Sequence, residues 1–238
     1  MKTDILAIGA HPDDVEISAC GILLKEIAFG KKAAVVDLTR GELGTRGSAD
    51  ERDKEAQRAS QMMGLLHRSN LGLKDGFFMP DEASTLKLVE RIRFYQPEVV
   101  LIPAPRDRHP DHGRASALCS DACFLSALPK VRTSSSDVDQ QTWKPKTVYH
   151  YIQDWHLDPD FVVDITDFAE RKIEILKAYK SQFFDPSSTE PVTPISKEDF
   201  FDFLRGRWAG FGRLVGTRYA EGFISQRAIG VHHLTDIY

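Results

Sequence analysis

The sequence lacks the features that mark secreted, membrane-bound and nucleic-acid-binding proteins. Its 238 residues include only three cysteines, and an odd number without framework spacing is typical of a reducing compartment. No apolar run is long enough to span a bilayer, and the net charge of −4 provides no basic excess for nucleic acid. We therefore expect a cytoplasmic protein with no signal peptide, no membrane segment and no nucleic-acid partner.

A glycine-rich phosphate-binding loop is also missing from the place where a nucleotide-binding fold would carry it. The first predicted strand, 5–9, continues into Ala10-His11-Pro12-Asp13-Asp14, which departs from the Gly-x-Gly-x-x-Gly pattern. This segment puts negative charge where a phosphate would bind. The sequence thus argues against the alternative of a nucleotide-binding Rossmann protein.

Strand and helix signals alternate through the first half of the chain. Apolar runs indicate buried strands, and apolar residues at helical spacing between capping and stop signals indicate helices. The predicted strands span 5–9, 32–39, 69–73 and 99–102, and the predicted helices span 16–29, 48–63, 84–95 and 113–128. This alternation predicts an α/β fold with a Rossmann-like, mostly parallel sheet and helices on both faces.

The second half of the chain is less regular. The polar segment 133–141 is predicted to be a loop. Strands are predicted over 147–152 and 161–164, and helices over 166–180 and 196–214. No internal repeat or linker divides the chain. We expect one domain, 1–238, in which 1–128 form the Rossmann-like core and 129–238 are a C-terminal extension that completes the fold.

Two short histidine–aspartate clusters are the main functional signal. Ala10-His11-Pro12-Asp13-Asp14 follows the strand at 5–9, and His109-Pro110-Asp111-His112 follows the strand at 99–102. The carboxyl ends of parallel strands are where open α/β sheets carry their sites. Either cluster alone would be typical of a turn in which an aspartate caps a helix. Together they predict a metal-dependent hydrolase.

The spacing within the clusters suggests a set of metal ligands. His11 and Asp14 are three residues apart, which brings both side chains to one point if the turn begins a helix. His112 would complete a set of two histidines and one carboxylate, and this set leaves positions open for water and substrate. We predict that these residues bind Zn²⁺, with Fe²⁺ as the alternative metal.

The remaining members of the clusters are candidate catalytic residues. Asp13 adjoins a ligand without being one, so it could act as general base. His109 could stabilise an oxyanion and protonate a departing amine. Asp111 could orient the imidazole of His109, or it could merely cap the following helix.

Three arginines between the clusters are candidate substrate-binding residues. Arg40 and Arg46 lie in the glycine-containing segment 39–48, and Arg52 lies in the first turn of the next predicted helix. A cation there opposes the helix dipole, which favours a functional role for Arg52. Arginine binds carboxylates through paired hydrogen bonds, so we expect an anionic substrate, with solvated surface charge as the alternative for each arginine.

The two clusters resemble those of the LmbE-like, or PIG-L, superfamily of zinc-dependent N-deacetylases. That family carries Ala-His-Pro-Asp-Asp after the first strand and a His-Pro-Asp-His type motif after a later strand, and both are present here. The resemblance implies that His11, Asp14 and His112 are zinc ligands, that Asp13 is the general base, and that His109 is the oxyanion-stabilising acid. It also implies a homo-oligomer, commonly a hexamer or a trimer.

Within that family, several segments are similar to the bacillithiol-biosynthesis branch, which removes acetate from N-acetylglucosaminyl-malate. These segments are 10–17, 39–48 with Arg52, and 219–223. The alternatives are a deacetylase of another N-acetylglucosamine conjugate, inositol-linked or chitooligosaccharide, and a non-catalytic sugar- or metal-binding protein. Asp13 and His109 are unnecessary for binding alone, which argues against the last alternative.

Overall fold

The first half of the chain forms four neighbouring parallel strands on one side of the central sheet. In the computed structural model, which describes residues 1–236, strands and helices alternate through this half. In chain order they are β1 (Ile5–Gly9), α1 (Asp14–Ser18), α2 (Cys20–Ala28), β2 (Ala33–Thr39), α3 (Ala49–Met63), β3 (His67–Leu73), α4 (Glu82–Tyr95), β4 (Val99–Pro103) and α5 (Pro110–Leu125). The four strands pair in parallel in the order β3-β2-β1-β4, so the predicted α/β fold is confirmed.

The second half of the chain adds three strands to the same sheet. Its elements are β5 (Ser134–Ser135), β6 (Val138–Asp139), β7 (Thr147–Tyr151), β8 (Phe161–Asp164), α6 (Ala169–Leu176), α7 (Phe200–Val215) and β9 (Ala220–Ser225). Strand β7 pairs in parallel with β4, and β9 runs antiparallel between β7 and β8. The sheet therefore has seven strands in the order β3-β2-β1-β4-β7-β9-β8 and is mostly parallel.

Helices cover both faces of the sheet, as predicted. Along β1, Ile5 and Ala7 belong to a core formed with α1, α2, α3, α6 and α7, whereas Leu6 and Ile8 belong to a second core with α4 and α5. Successive side chains of a strand point to opposite faces, and a parallel strand covered on both sides reads as a continuous apolar run. This explains why β1 showed no polar alternation in the sequence.

The bounds of several predicted elements differ from the structure. The helix predicted over 166–180, for example, is α6 (Ala169–Leu176). The helix predicted over 16–29 begins at Asp14 and breaks at Ala19, whose φ of −133° is not helical. The polar segment 133–141, predicted to be a loop, contains the small hairpin of β5 and β6, whose turn residues Ser136 and Asp137 both have positive φ. The helix predicted from 196 begins at Phe200.

Strand β9 is the strand of the central sheet that we did not predict. Its sequence, AEGFIS, contains a glutamate and a glycine and so lacks an apolar run. Glu221 is nevertheless buried, because its carboxylate accepts hydrogen bonds from the amides of Gly21 and Ile22 and pairs with Lys172 at 2.6 Å. Partners distant in sequence thus stabilise a charge that local pattern would place in solvent. Within residues 1–236, no helix combines the length and apolarity needed to cross a membrane.

Candidate active site

The two histidine–aspartate clusters meet at one edge of the sheet. Strands β1 and β4 are direct neighbours in parallel register, with Ile5 opposite Val99, so their carboxyl ends lie side by side. A cleft of about 280 Å³ opens there, and both clusters contribute to its walls. From the first cluster, His11, Asp13 and Asp14 line this cleft, and from the second, His109 and His112 line it.

The Asp14 carboxylate lies between two histidines that come from different clusters. Asp14 Oδ2 is 3.5 Å from His11 Nδ1, and Asp14 Oδ1 is 3.2 Å from His112 Nε2. Donors about 2.1 Å from a tetrahedral ion are separated by about 3.4 Å. Both distances fit this spacing. The groups whose donor atoms all lie within 4.8 Å of one another are His11, His109 and His112, and His11, Asp75 and Asp111, so this end of the cleft could hold a metal ion.

Further carboxylates contact the opposite nitrogens of the same histidines. His112 Nδ1 donates to Asp107 Oδ2 at 2.7 Å, and His11 Nε2 donates to Asp75 Oδ1 at 3.0 Å. Histidines that bind metals commonly donate their second N–H to a carboxylate, which fixes the tautomer and the ring orientation. In this arrangement His11 Nδ1 and His112 Nε2, the two nitrogens that face Asp14, are the ones left to accept a metal ion.

Three residues of this inner arrangement escaped our sequence analysis, namely Asp75, Asp107 and Gln153. Gln153 Nε2 donates to Asp14 Oδ1 at 2.7 Å and so holds the carboxylate in place. All three residues follow the carboxyl end of a strand (β3, β4 and β7 respectively). Strand exits were therefore a usable signal, but all three residues lie outside the two histidine–aspartate clusters and so looked like ordinary loop polarity.

The charges around the two histidines favour a cation between them. Burial alone would lower the pKa of His112, but Asp14 and Asp107 outweigh it and raise that pKa to about 9. The pKa of His11 is likewise raised, against burial, by Asp111, Asp14 and Asp75. Burial opposes ionisation of Asp14, but His112 and His11 hold its pKa well below the usual range. The site thus stabilises positive charge, as a metal-binding site requires.

Asp13 is held in an uncommon backbone conformation. Its φ is 121°, a region that residues other than glycine rarely adopt, and it is the N-cap residue of α1. Its side chain makes no capping hydrogen bond within the described residues, so the simple helix-cap interpretation does not hold for this aspartate. Such strain is found where the surrounding structure enforces it, often at functional sites.

Burial also tunes the acidity of Asp13. It raises the pKa of this carboxyl to about 7, although Arg52, with Nη2 3.9 Å from Asp13 Oδ2, opposes the shift. A general base works best when its pKa lies near the working pH. Asp13 therefore has the position and the acidity of a proton acceptor.

His109 is oriented through its backbone surroundings. It is the N-cap residue of α5, and its Nδ1 accepts a hydrogen bond from the backbone N–H of Asp111 at 3.2 Å. Burial, together with His11 and His112, lowers the pKa of His109. A neutral ring with Nδ1 as acceptor carries its proton on Nε2, which is then available as a donor.

Among the described residues no hydrogen bond joins the Asp111 carboxylate to the His109 ring, which Asp111 contacts through its backbone N–H, so the orienting role of this carboxylate stays a prediction. Instead Asp111 Oδ2 lies 3.4 Å from His11 Nε2 and accepts the backbone N–H of Gly76 at 2.8 Å. The alternative role as helix cap is wrong, because His109 is the N-cap residue of α5. Asp111 lies in the first turn of α5, from where its side chain reaches across to the first cluster.

Of the three predicted arginines, the structure brings one to the cleft. Arg52 lines the cleft, is 6% exposed and donates to the side chain of Gln182. Gly41, with φ of 66°, makes this placement feasible, because a Cβ there would collide with the Arg52 guanidinium. Gln182 also lines the cleft and was not recognised from the sequence.

Arg46 and Arg40 do not line the cleft, so their role in substrate binding stays a prediction. Arg46 is buried, and its guanidinium donates to the Ser181 carbonyl at 2.9 Å and the Ser188 hydroxyl at 2.9 Å. Arg40 is exposed and pairs with Asp50 and Asp53 of α3. Other protein groups thus engage both side chains. Arg46 binds residues that are distant in sequence, and Arg40 pairs with carboxylates of the neighbouring helix.

Sequence comparisons match this chain to known deacetylases. The sequence profile described as "PIG-L: GlcNAc-PI de-N-acetylase" matches residues 6–123, a range that includes both clusters. The diacetylchitobiose deacetylase of Thermococcus kodakarensis is 27% identical over 240 residues, which cover 96% of this chain and 85% of that protein.

Solved structures extend the similarity to almost the whole chain. The crystal structure of a conserved protein from Thermus thermophilus, TT1542, has a TM-score of 0.85 at 32% identity and covers 97% of this chain and 98% of its own. The N,N'-diacetylchitobiose deacetylase of Pyrococcus horikoshii, complexed with its inhibitor MPG, has a TM-score of 0.82 at 27% identity, covering 94% and 84%. On its matching profile, its relatives and its paired clusters, this chain belongs to the PIG-L, or LmbE-like, deacetylase family.

Proposed function

We propose that this protein is a metal-dependent hydrolase that removes the N-acetyl group from a small N-acetylglucosaminide, with N-acetylglucosaminyl-malate as its substrate. One observation carries the reaction class: the Asp14 carboxylate lies between His11 and His112 in the same cleft as Asp13. Metal ligands and a separate base in one cleft are what amide hydrolysis requires.

The proposed metal ligands are His11, Asp14 and His112. Their support is the donor spacing, together with the carboxylates of Asp75 and Asp107 on the opposite histidine nitrogens. We propose Zn²⁺ as the metal, with Fe²⁺ as the alternative. When bound, the ion acidifies water and polarises the amide carbonyl.

The protein's own groups would then move the proton and stabilise charge. Asp13 takes the proton of the attacking water and passes it to the departing amine, which its pKa of about 7 favours in both directions. His109 donates from Nε2 to the oxyanion that develops on the former carbonyl oxygen. The lowered pKa of His109 favours this role over delivery of a proton to the amine.

Arg52 is the basis for proposing an anionic aglycone. Its guanidinium lines the cleft beside the proposed base and could pair with a malate carboxylate. An arginine–carboxylate hydrogen bond at such a partly desolvated site is worth on the order of 1.5–3 kcal/mol, roughly ten- to hundredfold in binding. N-acetylglucosaminyl-malate supplies both the N-acetyl group and the carboxylates.

Diacetylchitobiose is the second candidate substrate. It is favoured by the similarity to two diacetylchitobiose deacetylases, each 27% identical over nearly the whole chain. Its aglycone is a neutral sugar, so Arg52 would have no carboxylate to bind. Binding of the malate conjugate therefore depends on the Arg52 guanidinium, whereas binding of diacetylchitobiose does not.

The test is amine release by the metal-loaded protein from four substrates: N-acetylglucosaminyl-malate, its inositol analogue, N-acetylglucosamine and diacetylchitobiose. We expect the malate conjugate to have the highest kcat/KM. Arg52→Ala should raise KM for this conjugate far more than for N-acetylglucosamine, without loss of metal. An equal effect on both substrates would contradict the role of Arg52, and a preference for diacetylchitobiose would support the second candidate.

Asp13→Asn tests whether the site is catalytic rather than merely binding. It should retain the metal and lose about 10²–10⁴-fold in turnover. Asp158→Asn is the control, because the Asp158 side chain is fully exposed. Wild-type turnover in Asp13→Asn would contradict the proposed base. We further propose that the protein acts in the cytoplasm and forms a homo-oligomer. Sedimentation equilibrium would test the oligomeric state.

A further inference from the structure

Asp13, the proposed base, lies at the start of a helix that is too short to be stable by itself. Helix α1 has five residues, Asp14–Ser18, and it ends at Ala19, whose φ is −133°. Isolated helices of this length do not persist in water, because so few hydrogen bonds cannot offset the cost of nucleation. Contacts outside α1 therefore have to enforce the strained φ of 121° at Asp13.

The Glu16 side chain ties α1 to the rest of the fold. It is completely buried, and its Oε1 accepts hydrogen bonds from Arg68 Nη1 at 2.5 Å and from the Tyr179 hydroxyl at 2.8 Å. Glu16 Oε2 has no hydrogen-bond partner among the described residues. The position of this carboxylate therefore depends on two donors, one from β3 and one from the segment that follows α6.

Arg68 is itself fixed to the central sheet. Its Nε and Nη2 donate to the two oxygens of Asp37 on β2, at 2.7 and 2.8 Å, and its side chain is only 9% exposed. A paired contact of this kind holds the planar guanidinium in one orientation. Because the same guanidinium also binds Glu16, the sheet determines where α1 lies.

We propose that Glu16 is a positioning residue for the proposed base and acts through the first turn of α1. This inference rests on the proposed function. The Ile17 N–H donates to the Asp13 carbonyl at 2.9 Å, so a movement of α1 is transmitted to the backbone of Asp13. Without its two donors, the turn would relax towards an unstrained φ. The Asp13 carboxylate, which now lines the cleft, would then move away from the water that it deprotonates.

The neighbouring Asp14 is held by different contacts. Its Oδ1 accepts a hydrogen bond from Gln153 at 2.7 Å, and its Oδ2 accepts the backbone N–H of His11 at 2.9 Å. Loss of the tie through Glu16 should therefore lower turnover while the metal stays bound. A displacement of about 1 Å can cost a reacting group about 10²-fold in rate, which gives the scale of the effect.

Tyr179→Phe is the test variant, because it removes one hydroxyl and leaves the buried ring in place. One of the two donors to Glu16 remains, so kcat should fall about tenfold without a change in KM or in metal content. Tyr95→Phe is the matched control. Both tyrosines are fully buried, but Tyr95 belongs to the core on the opposite face of the sheet, where its hydroxyl contacts His67 Nδ1 at 2.6 Å.

The two variants separate positioning from a merely structural role. Each loses one buried hydroxyl, so both should lose thermal stability to a comparable extent, but Tyr95→Phe should keep the wild-type kcat. Equal losses of kcat in the two variants, or wild-type kcat in Tyr179→Phe, would overturn the proposal.

Arg68→Ala removes the second donor and allows chemical rescue. Arg68 and Asp37 line an open cavity between α3 and β3, through which a small solute can reach the vacated space. Guanidinium, at a concentration below the unfolding transition, should restore kcat, whereas urea, which has a similar shape without the charge, should not. Failure of guanidinium to restore kcat, or equal restoration by urea, would contradict the role assigned to Arg68.

Hydrogen exchange of the Ile17 amide gives a readout that needs no substrate. In Tyr179→Phe this amide should exchange about fivefold faster than in wild type, as expected for the loss of one hydrogen bond, whereas Tyr95→Phe should match wild type. Absence of amine release by wild type would refute the proposed function. Faster exchange in Tyr179→Phe would then still support the tie through Glu16, and unchanged exchange would overturn it.

Discussion

Replacing Asp107 by asparagine should weaken metal binding without removing any proposed ligand. Asp107 Oδ2 accepts the Nδ1–H of His112 at 2.7 Å, and Oδ1 accepts the backbone N–H groups of Trp155 and Arg108, each at 2.8 Å. Asparagine keeps the size of the side chain but removes its charge. It also replaces one oxygen by an N–H₂ group, which cannot accept these bonds.

The magnitude follows from the contact that is lost. If the asparagine turns its amide nitrogen towards His112, the imidazole loses its only carboxylate partner on Nδ1 among the described residues. If it turns its oxygen there, the hydrogen bond remains but its charge assistance is gone. Removing such a partner of a metal-binding histidine costs about 10–100-fold in metal affinity, or about 1.4–2.8 kcal/mol.

Competition with a chromophoric zinc chelator at fixed pH would measure this change. Asp154→Asn is the matched control, because Asp154 lies nearby in the loop after β7 and its carboxylate pairs with Arg108 rather than with a histidine. We expect Asp154→Asn to bind zinc as wild type does. If Asp107→Asn also kept wild-type affinity, His112 would not bind the metal through the nitrogen that faces Asp14.

Two further predictions concern stability. Without metal, the pKa of His112 is raised to about 9. Its contribution to the free energy of unfolding is therefore complete below about pH 6.5 and is lost as the pH rises to 9. The metal-free protein should lose thermal stability across that range, and zinc should abolish this pH dependence. A flat profile without metal would contradict the assigned charges. Glu221→Gln should lower the free energy of unfolding by about 3–5 kcal/mol in urea denaturation, because it leaves the fully buried Lys172 unpaired. Glu174→Gln, at an exposed pair, should change it by less than about 0.5 kcal/mol, and similar effects of the two would refute this reasoning.

Sequence patterns predicted the structure wherever the interactions that determine it lie within one short segment. The apolar runs of β1 and β4 predicted parallel strands, and their adjacent exits placed His11 and His112 near each other. Ser48, at the start of the helix predicted over 48–63, is likewise the N-cap residue of α3, and its hydroxyl accepts a hydrogen bond from the Glu51 backbone N–H. These signals depend on neighbours within a few residues and so survive without knowledge of the fold.

Interactions between distant segments could not be predicted in this way. Arg46 looked like a ligand-binding residue because its partners, Ser181 and Ser188, lie more than 130 residues away. The Asp111 carboxylate likewise contacts His11, 100 positions earlier, rather than its neighbour His109. In both cases the deciding energy is a tertiary hydrogen bond, which the local sequence does not encode.

The position of β9 in the sheet has a consequence for the order in which the chain folds. Strand β8 is synthesised some 60 residues before β9, yet β9 is its only sheet partner among the described residues. During synthesis, the core of β1 to β4 can form while β8 still has an unpaired edge. The backbone N–H groups of Gly21 and Ile22, at the start of α2, also lack their hydrogen-bond acceptor until Glu221 has been synthesised. Emergence of β9 from the ribosome is therefore the event that closes the sheet and supplies the acceptor for these two amides.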